Sequence, residues 1–496
     1  MYTMNYFSTR GATERVSSAE AILKGLASDG GLYVPAAFPQ VSLSEIEALA
    51  PLSYEERAER ILRLFLTDYT EEELQGCVSR AYSHTFDDVR RAPVRTVGEL
   101  EVLELWHGPT SAFKDMALQL LPQLMSTARK KTGEQDTILI LVATSGDTGK
   151  AALEGFADAD GIRIMVFYPD GGVSPIQRLQ MVTQTGANVS VVAVRGNFDD
   201  AQRGVKEIFG DAAMAAELAA LHTKLSSANS INWGRLVPQI VYYFSAYADL
   251  LAEGKIAAGD AVNFTVPTGN FGNILAGYYA KRMGLPVGKL VCASNANNVL
   301  TDFLQTGIYD RARDFYQTLS PSMDILVSSN LERLLYHLTE DKAQVAAWMK
   351  ELAVAGKYDA SALLPKLKDV FWAACADDAA TEEEIRTVYG RTGYTLDTHT
   401  AVAYRAAEGY RSETGDTRPM IVLSTASPYK FAASVLHALG AQTAGSDAFT
   451  QMTLLQERSR MAVPTRLAAL HDAKVLHEGG CEKTGMAEMV LAFART

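Results

Sequence analysis

Cysteine is scarce in this sequence. Only four cysteines occur among its 496 residues, far apart at Cys77, Cys292, Cys375 and Cys481. They form no C-x-x-C pair, so the sequence predicts neither a zinc site nor a disulfide framework. Histidine spacings that hold a metal, such as H-x-x-x-H, are also missing. The G-x-S-x-G motif of a hydrolase nucleophile is absent as well. We therefore expect no metal site and no hydrolase of that type.

Long hydrophobic runs and an excess of positive charge are also lacking. No run of about 18 apolar residues suggests a transmembrane helix, and residues 1–6 lack the basic and apolar segments of a signal peptide. Lys and Arg number 46 against 58 Asp and Glu, a net charge of −12, which argues against a nucleic-acid or anionic-membrane partner. We therefore expect a cytoplasmic protein.

What the sequence does contain is a regular alternation of strand and helix patterns. The continuous apolar run 138–142 is typical of a strand buried on both faces, and 236–251 reads as a long apolar helix. This alternation predicts an α/β fold with mostly parallel sheets covered by helices. The length suggests about three domains. The boundaries we expect are an N-terminal cap at 1–95, an α/β core at 96–300 with a smaller domain around 110–235, and a helical insertion plus the rest of the core at 301–496.

Four polar or glycine-rich turns follow the predicted strands. Ligands bind outside the carboxyl ends of parallel strands, so we expect these turns to meet at one site. They are the turn that contains Lys114 and the segments 143–149, 267–273 and 424–428.

The first turn lies in the segment 107–117. Apolar spacing after it predicts one helix face from Phe113 to Leu124, with Thr110 or Ser111 as its cap. Lys114 would then lie in the first helical turn, where the helix dipole and burial both favour the neutral amine that attacks carbonyl groups. The alternative is that Lys114 is a solvated surface lysine.

The other turns offer groups that bind anions. Segment 269–273 combines two glycines with a helix start and suits a phosphate, although it could be a plain tight connection. Segment 144–149 could hold a carboxylate, with Asp147 alternatively only a helix N-cap. Arg235 follows a run of polar residues and offers a fork for a carboxylate or phosphate, unless it is a salt-bridged surface residue. His107 and His399 are interpreted as structural or supporting residues.

Together these motifs resemble the threonine synthase family, in its longer bacterial and fungal branch. The H-G-P-T-x-A-F-K-D pattern at 107–115 is the most specific of them. The resemblance implies the fold of the tryptophan-synthase-β group: two α/β domains with pyridoxal 5'-phosphate between them, plus the small N-terminal cap. It also implies conversion of O-phospho-L-homoserine and water into L-threonine and phosphate. The segments that carry it are 8–11, 29–32, 107–115, 143–149, 229–235, 269–273, 397–400 and 424–426.

The resemblance also implies site residues. Lys114 would bind the cofactor covalently and act as the catalytic base, with Phe113 lining the pocket and Asp115 supporting it. Thr425 would meet the pyridine nitrogen. Asp147 stands where the shorter branch of the family has an asparagine near the cofactor's 3' oxygen. The residues that would cradle the cofactor phosphate are Gly269, Asn270, Phe271, Gly272 and Asn273. Those that would hold the substrate are Ser145, Thr148, Asn229, Ser230 and Arg235.

One position departs from the family pattern, because Ser427 stands where relatives usually have histidine. Two alternatives stay open at this point. The first is another enzyme on the same fold, either a phospho-lyase or a serine/threonine dehydratase. The second is a non-catalytic ligand-binding protein. We expect a monomer or a small homo-oligomer.

Overall fold

The computed structural model describes residues 3–144, 146–443 and 445–496, in which strands and helices alternate as expected. The strands are β1 Tyr6–Ser8, β2 Tyr33–Pro35, β3 Val94–Val97, β4 Leu100–Glu104, β5 Thr137–Ala143, β6 Ile162–Pro169, β7 Val189–Arg195, β8 Thr223–Ser226, β9 Val262–Pro267, β10 Val287–Ser294, β11 Ile308–Asp310, β12 Lys357–Asp359, β13 Phe371–Cys375, β14 Met420–Ser424 and β15 Gly480–Glu482.

The helices are as follows. In the first half of the chain they are α1 Ser18–Lys24, α2 Leu43–Glu47, α3 Tyr54–Arg63, α4 Glu71–Tyr82, α5 Asp115–Leu118, α6 Leu121–Thr132, α7 Asp147–Phe156, α8 Pro175–Val182, α9 Phe198–Gly210, α10 Ala212–Ala220 and α11 Trp233–Ala252. In the second half they are α12 Gly272–Arg282, α13 Val299–Thr306, α14 Leu331–Thr339, α15 Lys342–Ala355, α16 Leu364–Val370, α17 Asp378–Thr392, α18 Thr398–Thr414, α19 Ala432–Ala438, α20 Ala448–Ser459, α21 Thr465–Ala468 and α22 Met486–Ala494. Short 3-10 turns lie at Pro321–Met323, Ser361–Leu363, Pro428–Phe431, Ala469–Asp472 and Lys483–Gly485.

Two mostly parallel sheets form the framework, which confirms the predicted α/β class. The larger sheet has the order β13-β10-β9-β14-β4-β3, and only β3 runs antiparallel to its neighbour. The second sheet has the order β15-β7-β6-β5-β8 and is parallel throughout. The central strands β5 and β9 are buried, because helices cover both faces of each sheet.

The N-terminal region is a small helical layer on the larger sheet's domain. It contains the antiparallel pair β1 and β2 and helices α1 to α4. Each of these helices begins with a capping box, in which a hydroxyl and a glutamate satisfy the first free backbone groups. The layer packs on the start of α11, where the Trp233 ring lies 5.1 Å from Tyr6 and 5.5 Å from Phe65.

The C-terminal end returns to the second sheet. Strand β15 pairs with β7 at its edge, and Met486 and Val490 of α22 pack with Val205 and Ile208 of α9. The sequence pattern did not indicate this strand, since it has only three residues. Within the described residues, no helix has the length and apolar character needed to cross a bilayer, and no group of three or more metal-ligating side chains occurs.

The segment after Lys114 differs from the prediction. The expected single helix is divided into α5 and α6, because Pro122 lacks the N–H that would continue the backbone ladder. The prediction that Thr110 or Ser111 caps this helix is wrong. Thr110 instead donates its N–H and its hydroxyl to the Asp115 carboxylate, at 2.8 and 2.7 Å, and Ser111 adopts a left-handed φ of 59°.

Candidate active site

The four predicted turns meet between the two sheets. Three of them follow β4, β9 and β14 of the larger sheet, and the fourth follows β5 of the second sheet. Ala112 pairs with Ala426, and the Phe113 N–H donates to the Thr425 carbonyl at 2.8 Å. Lys114 Nζ in turn lies 4.0 Å from Asp147 Oδ2. The turns therefore enclose one cleft between the two sheets.

Lys114 is not a solvated surface residue. It occupies the N-cap position of α5, and only 11% of its side chain is exposed. Burial lowers its pKa to about 8, with Lys430 and Arg235 adding to the effect and Asp147 opposing it. The Phe113 ring centre lies 5.0 Å from Nζ. A larger fraction of this amine is thus neutral near pH 7 than of an ordinary lysine.

Asp147 is held in its charged form opposite Lys114. Its Oδ1 lies 2.7 Å from Lys430 Nζ and accepts from Gln177 Nε2 at 2.9 Å. Burial alone would raise its pKa, but Lys430 and Lys114 outweigh burial and lower the pKa below the usual carboxyl range. Asp147 does not cap α7, since Gly146 occupies the N-cap position. The carboxylate is therefore a fixed negative charge in the cleft.

Asp115 forms a second buried carboxyl beneath Lys114. Burial raises its pKa to about 6, although the two hydrogen bonds from Thr110 oppose this rise. A side chain at Gly108 would place its Cβ 2.5 Å from Asp115 Cβ, so the turn accepts only glycine there. Asp115 and Gly108 thus fix the shape of the turn that carries Lys114.

The segment 269–273 ends at the N-terminus of α12, with Phe271 in a left-handed conformation, φ 62°, as the N-cap. A Cβ at Gly272 would face polar amides, at 3.4 Å from Asn330 Nδ2 and 3.6 Å from Gln239 Nε2. Asn273 is buried, and its Nδ2 has no partner in the described part of the chain, while its Oδ1 accepts from two tyrosine hydroxyls. The Asn273 amide and the helix N-terminus beside it fit a phosphate group.

The remaining residues of this segment lie at its edge. Asn270 is exposed, and its carbonyl accepts from the N–H and the side-chain amide of Asn330, each at 3.1 Å. Gly269 must be a glycine, since a Cβ there would lie 2.8 Å from the Ser322 carbonyl oxygen. The backbone of the segment is therefore fixed by contacts with residues 322–330.

Arg235 is a buried guanidinium without a carboxylate partner. Its Nη1 donates to the Ala228 carbonyl at 2.6 Å, whereas its Nε has no partner among the residues that the structure describes. No ion pair links it to another described residue, and burial lowers its pKa to about 10. The alternative of a salt-bridged surface arginine is thus wrong. An unpaired buried cation of this kind suits an anionic ligand.

The other residues predicted to hold substrate have varied positions. Asn229 and Ser230 are half-buried before α11, and Ser230 Oγ lies 3.3 Å from Ser329 Oγ. Thr148 is half-buried in the first turn of α7. Ser145 lies outside the described residues. Thr425 is buried beside Phe113, and its carbonyl makes the backbone contact given above.

Several residues of the cleft were not predicted as site residues. Lys430 is fully buried between Asp147 and the Thr110 carbonyl, which accepts from its Nζ at 2.9 Å. Ser322 reaches Lys114 from the segment between β11 and α14. Ser427 caps the 3-10 turn Pro428–Phe431 through a contact with the Tyr429 N–H, so the serine at this departing position has a local structural role.

The histidines agree with the interpretation that they support other residues. His107 lies 2.6 Å from Asp87 and 2.9 Å from Glu104, away from the Lys114 amine. These carboxylates outweigh the effect of burial and raise the pKa of His107 to about 9. His399 is buried and contacts the Ser322 backbone. Only His399 is thus linked to the cleft.

Comparison with known proteins gives consistent matches along the chain. Family models described as threonine synthase N terminus, pyridoxal-phosphate dependent enzyme, and threonine synthase C-terminal match residues 5–82, 95–363 and 400–475. Threonine synthase-like 1 of Homo sapiens is 42% identical over 450 residues, covering 88% of this chain and 60% of the relative. The chain thus spans about 60% of the length of that relative.

Two further proteins match over nearly their full lengths. Threonine synthase of Pseudomonas aeruginosa is 42% identical over 437 residues, covering 87% of this chain and 90% of the relative. The crystal structure of pyridoxal-phosphate-bound threonine synthase from Brucella melitensis superposes with a TM-score of 0.88 at 38% identity, covering 100% of both chains.

Proposed function

The chain belongs to the threonine synthase family of pyridoxal-phosphate-dependent enzymes, and from this premise we propose that it converts O-phospho-L-homoserine and water into L-threonine and phosphate. The observation that carries the proposal is the buried Lys114 amine, with its pKa lowered to about 8, at the junction of both domains. An amine with this pKa is suited both to attack a carbonyl and to exchange protons near neutral pH.

The residues of the cleft fit pyridoxal 5'-phosphate. Lys114 would hold it covalently, Phe113 and Thr425 would line its ring, and segment 269–273 would hold its phosphate. Asp147, kept charged by Lys430, would lie near its 3' oxygen. When bound, the cofactor supplies an electron sink for charge that develops on the substrate carbons.

The chain's own residues would orient the substrate and move its protons. The freed Lys114 amine would take the proton from the substrate Cα and return it at the end of the reaction. Arg235 is proposed to pair with a substrate anion, because its buried Nε has no partner among the described residues. The other residues proposed to hold the substrate carboxylate and phosphate are Ser145, Thr148, Asn229 and Ser230.

The test is product analysis with O-phospho-L-homoserine and the protein loaded with pyridoxal 5'-phosphate. We expect threonine and phosphate in equal amounts. Release of a 2-oxo acid with the phosphate would instead identify a phospho-lyase, and a 2-oxo acid formed from serine or threonine would identify a dehydratase. No phosphate release, with the cofactor bound, would support a ligand-binding protein.

Gly272→Val tests the proposed phosphate cradle. We expect cofactor affinity to fall at least about tenfold, because the added side chain extends toward the amides that would surround the phosphate. Folding should persist: Gly272 has an ordinary φ, and the nearest atom to an added Cβ lies 3.4 Å away. The measurement is cofactor titration by absorbance, alongside urea unfolding of the cofactor-free protein.

Gly390→Val provides the matched control for this experiment. Gly390 also lies in a helix, α17, and a Cβ there would meet nothing within 4 Å. It is far along the chain from the cradle, so cofactor affinity should equal that of the parent. If Gly272→Val binds the cofactor as tightly as Gly390→Val, the phosphate lies elsewhere.

A further inference from the structure

Ser322 lies beside the Lys114 amine although it comes from a distant part of the chain. It lies in the short 3-10 turn Pro321–Met323. Its Oγ is 3.4 Å from Lys114 Nζ and 3.4 Å from Asp147 Oδ2, while those two atoms are 4.0 Å apart. The hydroxyl can accept from the ammonium and donate to the carboxylate at once. It thereby bridges a gap that is too long for a direct hydrogen bond.

His399 fixes the backbone of this turn. Its Nε2 accepts from the Ser322 N–H at 3.0 Å, and its Nδ1 lies 3.1 Å from Asp397 Oδ1. Because Nε2 accepts a backbone N–H, the ring proton is on Nδ1 and is donated to Asp397. The Asp397 side chain also caps the first turn of α18, and the His399 ring packs 4.9 Å from that of Phe431. Helix α18 thus fixes the His399 ring, and the ring fixes the backbone of Ser322.

The turn also lies directly against the proposed phosphate cradle. The Ser322 carbonyl oxygen lies so close to Gly269 that a Cβ there would approach it to 2.8 Å. Ser328, six residues further along, donates its hydroxyl to the Gly269 carbonyl at 2.8 Å. Contacts on both sides thus fix the backbone position from which the Ser322 hydroxyl reaches Lys114.

We propose that Ser322 is a further active-site residue whose hydroxyl holds the Lys114 amine against Asp147, and that His399 is the residue that positions it. The proposal rests on the proposed function only in taking the Lys114 amine as the reacting group. Neither residue was assigned this role by the sequence motifs. The consequence of this arrangement is that Ser322 sets the proton affinity of the Lys114 amine and the direction in which the amine points.

The sign of the effect follows from the charges around Lys114. The ammonium form donates to Ser322 Oγ, so the hydroxyl stabilises the charged state. Without it the ammonium loses an acceptor while its positive neighbours remain. We therefore expect Ser322→Ala to lower the pKa of Lys114 by about half a unit to one unit. The charged and titratable groups that face Lys114 are Asp147 on α7, Asp115 on α5, Arg235 on α11 and Lys430 after β14.

The experiment measures the proton affinity of Lys114 directly. The full-length, cofactor-free chain is acetylated with a trace of acetic anhydride across about pH 6 to 10, and the Lys114 peptide is quantified by mass spectrometry. Ser322→Ala should move the midpoint of its labelling to lower pH, and Ser322→Thr should restore it. His399→Leu should shift the midpoint in the same direction, whereas His399→Gln, which keeps an acceptor, should reduce that shift.

Ser320→Ala is the matched control, since it belongs to the same segment and is also buried. Its hydroxyl contacts Asn295 Nδ2 at 3.1 Å instead of Lys114. It should leave the midpoint unchanged. An unchanged midpoint in Ser322→Ala, or an equal shift in Ser320→Ala, would overturn the proposal. Labelling requires no turnover, so this result is independent of the product analysis that tests the proposed function.

Discussion

Lys114→Ala is expected to abolish covalent binding of the cofactor and to reduce threonine formation by at least about 10³-fold. The amine would supply both the attachment point and the base, and alanine supplies neither. The fold should persist, because the substitution removes a buried amine while Asp147 keeps its 2.7 Å contact with Lys430. The measurements are phosphate release and mass spectrometry after borohydride reduction of the protein loaded with pyridoxal 5'-phosphate.

Lys150→Ala is the control for this prediction. Lys150 is also largely buried, but its Nζ contacts Glu154 at 2.8 Å and the Gln184 side chain instead of lining the cleft. The variant should retain borohydride-fixed cofactor at Lys114. Near-normal turnover in Lys114→Ala, with the cofactor fixed to another lysine, would refute the role of Lys114.

The strands and the position of the cleft were predictable from sequence. The apolar run 138–142 became β5, Thr137–Ala143, which is buried as predicted. A strand buried on both faces admits few polar residues, so its pattern is continuous and easily recognised. The turns after such strands in a parallel sheet share one edge, and this topological rule brought the four predicted segments together.

Contacts between distant residues could not be predicted in the same way. Ser322 and Lys430 reach the cleft from segments whose local patterns specify only a turn, and each partner lies more than 170 residues away. The sequence contains one weak indication that Arg235 is buried: no aspartate or glutamate occurs between Glu217 and Asp249. An arginine without a local acidic partner in an apolar segment is a candidate for binding an external anion.

Lys430→Met is expected to destabilise the cofactor-free protein by about 3 kcal/mol at pH 7, because it leaves the buried Asp147 carboxylate without its closest cation. In the parent, the lowered pKa of Asp147 gives stability that is present above the usual carboxyl pKa and is lost as the pH falls through the lower folded value. In the variant, of the two lysines only Lys114 remains to oppose the effect of burial, so we expect a higher pKa for Asp147 than in the parent. The difference in the free energy of unfolding between the parent and the variant should therefore become smaller toward acidic pH. Urea unfolding at pH 7 and about pH 5 measures it.

The double variant Lys430→Met/Asp147→Asn separates charge from packing. If the buried charge causes the loss, the double variant should lose less unfolding free energy than the sum of the two single variants, since no unpaired carboxylate remains. An equal loss of unfolding free energy at both pH values would instead assign the loss to packing of the lysine stem.

The acetylation midpoint of Lys114 provides an independent test. Because Lys430 lowers the pKa of Lys114, Lys430→Met should raise this midpoint, opposite to Ser322→Ala. Two neighbours of one amine would thus shift its proton affinity in opposite directions, which a general loosening of the cleft could not produce.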